Sequence, residues 1–480
     1  MKLRTVLWLS LCSSGFASRL HPPAALHDDN MGARILRTAL IDPPTGDSQS
    51  WPMYTYGAHD NIPPSDTIPG TYVKTTASGW TAGFFPDSIW HMYHRAKQTR
   101  PSHRQDATSS GPTPDEWLTL AHQWTAPLTS NANLTTTHDL GFLAKPFESA
   151  LRFNNETHYL PILAQMSSSL AARFVPEAGV IRSWDNKNTS FSQNASHQDS
   201  VLVTIDNMMN LALLARSAAE YTGNATMLEM AISHANRTRD HHFRPDGSTF
   251  HVCDYSGTTG DLYLCRTAQG LADNSTWARG QAWGIYGFAE MYSFVQDPSY
   301  LATAVKAADW FLDHLPEDGV PFWDFDAPRI PDVTPRDSSA AMIAASGMIL
   351  LQDQIDRTSS RGPAKDGRGE RRSRRRNYPD AAIKLLHDTL DLTLAGQIGY
   401  ADIDKQHPAS TLGATTDPTT PANTSVSRGF EAILMHATAN NNPSAGDERN
   451  FDTGLLYGDY YLIEAGDRLG YNKCKEFKLS

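Results

Sequence analysis

Apolar residues return every three or four positions along most of this chain, over 83–97, 113–129, 140–153, 158–173, 206–221, 224–242, 277–294, 298–314, 337–352, 378–396, 425–438 and 453–468. That is the spacing of one helical face, so the pattern predicts a helix in each segment. Alternating, strand-like positions gather near 248–266, where FHVCDYS and LYLC flank a Gly/Thr turn. The helices also come in pairs, the first rich in Ala, Gly, Leu and Met, the second carrying more Glu, Lys and Arg. A helix apolar all round is buried and an amphipathic one faces water, so the pairs predict an inner and an outer ring. Trp80, Asp139, Asp206, Trp277 and Asp337 begin successive inner helices at intervals of about 60 to 70 residues, a repeat in its own right. The expected class is all-α: an (α/α)6 barrel of six helical hairpins with a small β excursion near 248–266.

No Pro/Gly/Ser linker divides the chain, so residues 18–480 read as one domain. Two segments stand outside the pattern. Residues 1–17 carry two cations and then an apolar run ending in small residues, the plan of a secretory leader with cleavage near Ala17. TSSRGPAKDGRGERRSRRRN, 358–377, is basic and poor in apolar residues and reads as a solvated insertion between two helices. Past the leader, no stretch reaches the ~20 apolar residues of a membrane span. Eight N-x-S/T sites, at Asn133, Asn155, Asn188, Asn194, Asn224, Asn236, Asn274 and Asn423, fit an exported, extracellular glycoprotein.

Charge narrows the partners. With 41 Lys and Arg against 52 Asp and Glu, the formal charge of −11 speaks against nucleic acid, whose binding rests on clustered cations. Three cysteines follow the leader, so at most one disulfide forms within the chain. Cys253 and Cys265 bracket DYSGTTGDLYL and are the candidate pair, with Cys474 left in a polar tail; three separate thiols are the alternative.

In a barrel of hairpins the N-termini of all inner helices open at one end, so residues at those starts converge. They are SGWTAGFFP, THDLGF, TIDNMMN, TWARGQAW and PRDSSA. Carboxylates, an arginine and tryptophans would line one pocket: indoles stack on sugar CH faces, and a guanidinium fork matches a carboxylate. The set suits an acidic sugar. Each aspartate has a plainer reading as a helix N-cap, Trp283 as core, and His138 or His251 as a satisfied buried histidine. Two aspartates across a pocket raise the pKa of one of them, so the pair would hold one proton and serve as acid and base. G-x-S-x-G, H-E-x-x-H and phosphate-loop patterns are missing from the sequence, and His241–His242 lacks spaced companions for zinc. No metal, cofactor or nucleotide is expected.

WTAGFFPDSIWHMY (80–93), HDLGF (138–142), IDNMMNLALL (205–214), WARGQAWGIYGFAEMY (277–292), PFWDFDAP (321–328), RDSSAAMIAASG (336–347) and LLYGDYYLIEA (455–465) resemble glycoside hydrolase family 88, the unsaturated glucuronyl hydrolases. The resemblance runs in order from about residue 50 to 470 and implies the same (α/α)6 barrel. It implies Asp206 as general acid/base and Asp139 as the second essential aspartate. By the same resemblance His138, His251, Gln269, Trp80, Trp277, Arg279 and Trp283 border the substrate, the arginine meeting its carboxylate. The implied reaction removes a 4,5-unsaturated uronic acid from the non-reducing end of lyase products, by protonation at C4 and addition of water at C5. The substrate is then an unsaturated uronic-acid oligosaccharide, and the protein a monomer. Loop 439–452 is a candidate for choosing the leaving sugar. The rivals are the sister activity on unsaturated rhamnogalacturonyl disaccharides, a glycosidase of saturated sugars, and a non-catalytic sugar-binding protein. HDLGF favours the glucuronyl class, because the rhamnogalacturonyl enzymes generally lack that second aspartate.

Overall fold

A computed structural model describes residues 20–41, 43–44, 49–57, 70–98, 111–185, 198–360, 376–403 and 429–470. The leader, most of the 358–377 insertion, Asn188, Asn194, Asn423 and Cys474 lie outside the described residues.

The α-helices are α1 (Asp29–Ile41), α2 (Phe84–Gln98), α3 (Pro114–Thr125), α4 (Leu140–Asn154), α5 (Leu160–Ala171), α6 (Leu211–Arg216), α7 (Ala225–His241), α8 (Ala278–Val295), α9 (Pro298–Asp313), α10 (Ser338–Ser360), α11 (Tyr378–Thr393) and α12 (Leu456–Gly470). Helices α2, α4, α6, α8, α10 and α12 each touch the next, and α12 returns to α2, which closes an inner ring. α3, α5, α7, α9 and α11 back the first five of these from outside. Burial separates the two rings: in α8 the unbroken run Ala278–Ala289 is buried, whereas the outer α9 buries chiefly Tyr300, Ala304, Ala307, Ala308 and Phe311, one helical face. Partly buried ion pairs also link the inner helices: Arg216 on α6 reaches Glu148 on α4 and, at 2.7 Å, Glu290 on α8.

Two departures from the sequence pattern exchange one helix for another. The segment expected to be helical over 425–438 is irregular from Phe430 onward, with bends at 432, 433 and 436, and becomes a strand at Ala437. Asp459, at the start of α12, takes the backbone N–H groups of Ile433 (2.8 Å) and Leu434 (2.9 Å), and Ala395 N donates to Ile433 O (2.9 Å), so these peptide groups are spent between elements. The sixth outer position falls to α1, beside α2, which the pattern missed. Its core face carries Arg34 and Arg37, both buried; Arg34 donates to the carbonyls of Phe430 and Gly396, and such cations interrupt an apolar stripe.

The expected helix over 206–221 is three conformations in sequence: a 3-10 turn Ile205–Met209, α6, and a π-turn Ser217–Tyr221. Among the strands, β1 (Trp51–Thr55) pairs with β2 (Tyr72–Thr75), and β3 (Phe174–Val175) with β4 (Val180–Ile181). The β excursion near 248–266 is a hairpin of β6 (Val252–Ser256) and β7 (Leu262–Arg266), extended to three strands by β5 (Ser200–Thr204). β5 places Thr204 opposite Val252 and runs straight into the 205–209 turn, where Ile205 N donates to His251 O (2.9 Å). Cys253 and Cys265 are directly paired across the hairpin and joined by a disulfide, as expected. Finally β8 (Ala437–Asn440) pairs with β9 (Asn450–Thr453) at the end of the 430–440 segment.

Candidate active site

The starts of α4 and α6 lie side by side, and a glycine permits it. A Cβ at Gly141 would sit 2.6 Å from Asn210 Cα, and Phe142 N donates to Asn210 Oδ1 at 3.2 Å. This contact brings HDLGF against IDNMMN. His138 Nε2 then lies 3.2 Å from Asp139 Oδ1 and 3.6 Å from Asp206 Oδ2, an imidazole between two carboxylates.

Capping, the plainer reading of these aspartates, holds for one and fails for two. Asp337 caps α10: its Oδ1 accepts from Ser339 N (3.1 Å), Ala340 N (3.3 Å) and Ser339 Oγ (2.5 Å). Asp139 stands at the N-cap of α4 without a side-chain cap bond, and its Oδ2 accepts instead from Thr137 Oγ1 and Trp184 Nε1 (3.3 Å). Asp206 Oδ1 has no hydrogen-bond partner among the described residues. Neither carboxylate is therefore spent on capping its helix.

Electrostatics set their protonation. Burial penalises an imidazolium, but Asp139 first and then Asp206 outweigh it and raise His138 to about 9. Burial likewise pushes the Asp206 carboxyl up, and His138, followed by His251, outweighs it and holds Asp206 down at about 2. The expected arrangement, one proton shared between two aspartates with one pKa raised, is corrected: the proton rests on the histidine between them. The three donor atoms lie within 4.8 Å of one another, a spacing that also suits a metal. With the imidazolium proton already between the carboxylates, we read the group as a charge triad and assign no metal to it.

Beside the triad opens a cavity of about 510 Å³ lined by Ser78, Trp80, Thr136, Thr137, Asp139, Trp184 and Asp185, a volume in the range of small-ligand sites. Trp184 escaped the sequence reading, since it stands in an irregular loop rather than at a helix start. An antiparallel bridge to Thr137 holds it, and its ring lies 5.0 Å from that of His138.

The expected sugar-binding wall divides. Trp80 borders the cavity and rests on Tyr457 at 4.8 Å. Trp283 is 1% exposed and packs on Phe142 and Tyr461, so it belongs to the barrel core, as its alternative reading had it. Trp277 is also buried, its ring 4.2 Å from that of His251. His251 Nδ1 accepts from Ala268 N (3.2 Å) and Gln269 N (3.3 Å), which puts the ring proton on Nε2, and burial lowers its pKa to about 3. Gln269 Nε2 donates to Ala439 O at 2.7 Å.

Arg279 differs most from expectation. Its guanidinium is bonded to Asp337 Oδ2 (2.9 Å), Thr438 O (2.5 Å) and Ala439 O (2.6 Å), and its side chain is 1% exposed. The arginine is a buried strut under the mouth, not an open fork for a substrate carboxylate. An inner helix buried all round uses its first-turn side chains to tie loops as readily as to face the pocket.

No family model matches the chain. It is 35% identical over 419 residues to an unsaturated glucuronyl hydrolase of Formosa agariphila, covering 86% of this chain and 85% of that protein. To an unsaturated glucuronyl hydrolase of Bacillus sp. it is 32% identical over 300 residues, 62% of this chain and 73% of the other. A solved unsaturated glucuronyl hydrolase specific for heparin superposes with a TM-score of 0.68 at 27% identity, covering 92% of this chain and 95% of that one.

Proposed function

From the premise that this chain belongs to the unsaturated glucuronyl hydrolases, an (α/α)6-barrel family of glycoside hydrolases, we propose its reaction in terms of its own residues. The enzyme removes a 4,5-unsaturated uronic acid from the non-reducing end of an oligosaccharide made by a lyase. Asp206 delivers a proton to C4 of the vinyl ether, and water adds to the cation left at C5. The hemiketal so formed opens and expels the remaining sugar. One acid/base serves both transfers, whereas an ordinary glycosidase sets a carboxylate on each side of the anomeric bond.

The observation that carries these roles is that Asp139 and Asp206, alone among the aspartates at the helix starts described above, are released from capping, and they flank one imidazole. Asp139, fixed by Thr137 and Trp184, orients the sugar hydroxyls and keeps His138 in place. Trp80 and Trp184 frame the ring. Loss of the ultraviolet absorbance of the C4=C5 bond, measured on unsaturated disaccharides from chondroitin, hyaluronan, heparin, gellan and pectin, tests the reading. Decay on a uronyl–hexosamine or uronyl–glucose substrate supports it; decay only on the rhamnose-linked substrate moves the chain to the sister activity, and none at all rejects it.

Export and glycosylation complete the reading. Among the described acceptors, Asn133, Asn155, Asn224 and Asn274 are exposed. Asn236 sits half-buried in α7, accepting from Arg239 and Tyr300, with its Thr238 buried. The expected product is a secreted monomer glycosylated at those four sites and bare at Asn236; peptide mass spectrometry of protein from the culture medium checks both, and a new N-terminus near Ser18 checks the leader. No described helix is long and apolar enough to cross a membrane.

A further inference from the structure

Resting on the reaction just described, we propose that His138 is the proton store of this site: its Nε2 holds, in the free enzyme, the proton that Asp206 passes to C4, and receives it back when water adds at C5.

Geometry carries the assignment. Nε2 lies between Asp139 Oδ1 at 3.2 Å and Asp206 Oδ2 at 3.6 Å, in ion-pair contact with both, and has no formed hydrogen bond among the described residues, so either carboxylate can take its proton on a small closing movement. The ring has no exposed surface, so solvent cannot exchange its proton freely. His138 N donates to Ser183 O (2.9 Å), and the Trp184 ring covers one side, so the imidazole is fixed in this slot. Asp206 keeps 16% of its side-chain surface open; its Oδ2 faces the histidine, and its Oδ1 is buried without a hydrogen-bond partner among the described residues.

The neighbouring groups leave no other store. His251, on the turn before β6, His242, just past the end of α7, and His234, on α7, are all lowered by burial and neutral at pH 7. Tyr457 on α12 is held protonated, its phenol pushed well above the ordinary range by burial. The Arg279 cation on α8 is matched by Asp337 at the start of α10. Asp206 itself, held low by its partner, carries no proton to give at neutral pH.

The cycle closes on these atoms. The Nε2–H bond breaks as an O–H bond forms on Asp206. That proton then bonds to C4, using the electron pair of C4=C5, and the ring oxygen supports the cation at C5. Water oxygen bonds to C5, its proton passes to Asp206 and on to Nε2, and one water is consumed. His138 does not touch the reacting carbon, so it acts as a positioning residue through Asp206.

The test is His138→Gln, which keeps size and polarity but cannot titrate. At pH 7.5 we expect kcat to fall by about 100-fold or more, the scale of lost general acid catalysis, with KM changed by less than about threefold. Its rate should climb steadily as pH falls, because Asp206 must then draw its proton from water, whereas the wild-type rate is level through neutrality and declines only in alkali. A His138→Gln enzyme with the wild-type kcat and pH profile overturns the proposal. Should the variant fail to fold, nitrogen-15 shifts of the His138 ring in the wild type decide: an imidazolium at pH 7.5 supports the store, and a neutral ring overturns it. An inactive wild type is a different failure, since it removes the reaction and the delivery step together.

Discussion

Arg279 and Asp337 form a buried ion pair that ties the start of α8 to the start of α10, with Nη1 2.9 Å from Oδ2 and neither side chain more than 1% exposed. The same guanidinium holds the carbonyls of Thr438 and Ala439, and Gln269 reaches Ala439 as well. One arginine therefore joins the starts of α8 and α10 to the 437–440 strand, and the 267–271 loop reaches the same strand through Gln269. What the sequence offered as a substrate anchor is a clamp that sets the shape of the pocket wall.

Breaking the clamp should cost stability before chemistry. Asp337→Ala leaves a buried cation without its partner and also uncaps α10, so the loss should be on the order of 3–5 kcal/mol in urea unfolding. Arg279→Lys keeps the charge but not the fork, and its contacts to the two carbonyls should weaken. An Arg279→Lys enzyme as stable and as active as the wild type would contradict the clamp.

Asp139→Asn removes one of the two charges that raise His138. The His138 pKa should therefore fall, and the alkaline decline in kcat should begin at lower pH than in the wild type. Asp206→Asn should abolish turnover while substrate still binds, read by ultraviolet decay and by calorimetry. Unchanged turnover in Asp206→Asn would remove it from the acid/base role.

Trp184→Phe retains a ring over His138 and deletes the Nε1 donor to Asp139. Hydrogen bonds to a charged group are worth about 1.5–3 kcal/mol, so kcat/KM should drop by roughly 10- to 100-fold with little change in fold. A loss below twofold would mean that Asp139 is oriented by Thr137 alone.

How much of this was legible depended on whether a residue's neighbours lie near it in sequence. The helical period found eleven of the twelve described helices because inner and outer faces are local patterns. It failed at α1, where buried Arg34 and Arg37 break the stripe, and at 430–438, where Asp459 binds the backbone from another element. β5 was missed because all five of its residues are buried, so nothing alternates. In the site, convergence of helix starts correctly gathered Asp139, Asp206 and His138. Which aspartate was a cap was not legible, since Asp337 and Asp139 look alike until Ser339 and Trp184 are seen beside them. Trp184 itself carries no periodic signal.

The Cys253–Cys265 disulfide holds the hairpin that starts just after His251 and leads into the 267–271 loop carrying Gln269. Its sequence separation is 12, and closing a loop of that size is worth about 3 kcal/mol in the chain-entropy picture. The double Cys253→Ser, Cys265→Ser variant should melt several degrees lower and lose part of its activity through a looser His251. An unchanged melting temperature would show that the three-strand sheet is sufficient alone.

Rising pH should loosen the fold in two separable windows. His138 has a folded pKa raised to about 9, so the native state binds more protons than the unfolded chain between its model value of 6.5 and that point. Its stabilisation is complete below pH 6.5 and is lost as pH rises through 9. Asp459, raised by burial to about 7 against the pull of two backbone N–H groups, is also favoured in its protonated form, and its contribution fades between its model value of 3.8 and 7. Asp206 runs the other way: depressed to about 2, it stabilises above 3.8 and is lost only as pH falls through 2. Urea midpoints at half-unit steps from pH 4 to 10 should fall in two stages. His138→Gln should erase the upper stage alone and Asp459→Asn the lower, because the two groups sit in different parts of the barrel mouth and titrate apart. A single decline that neither substitution alters would place the weakness at rising pH elsewhere in the molecule.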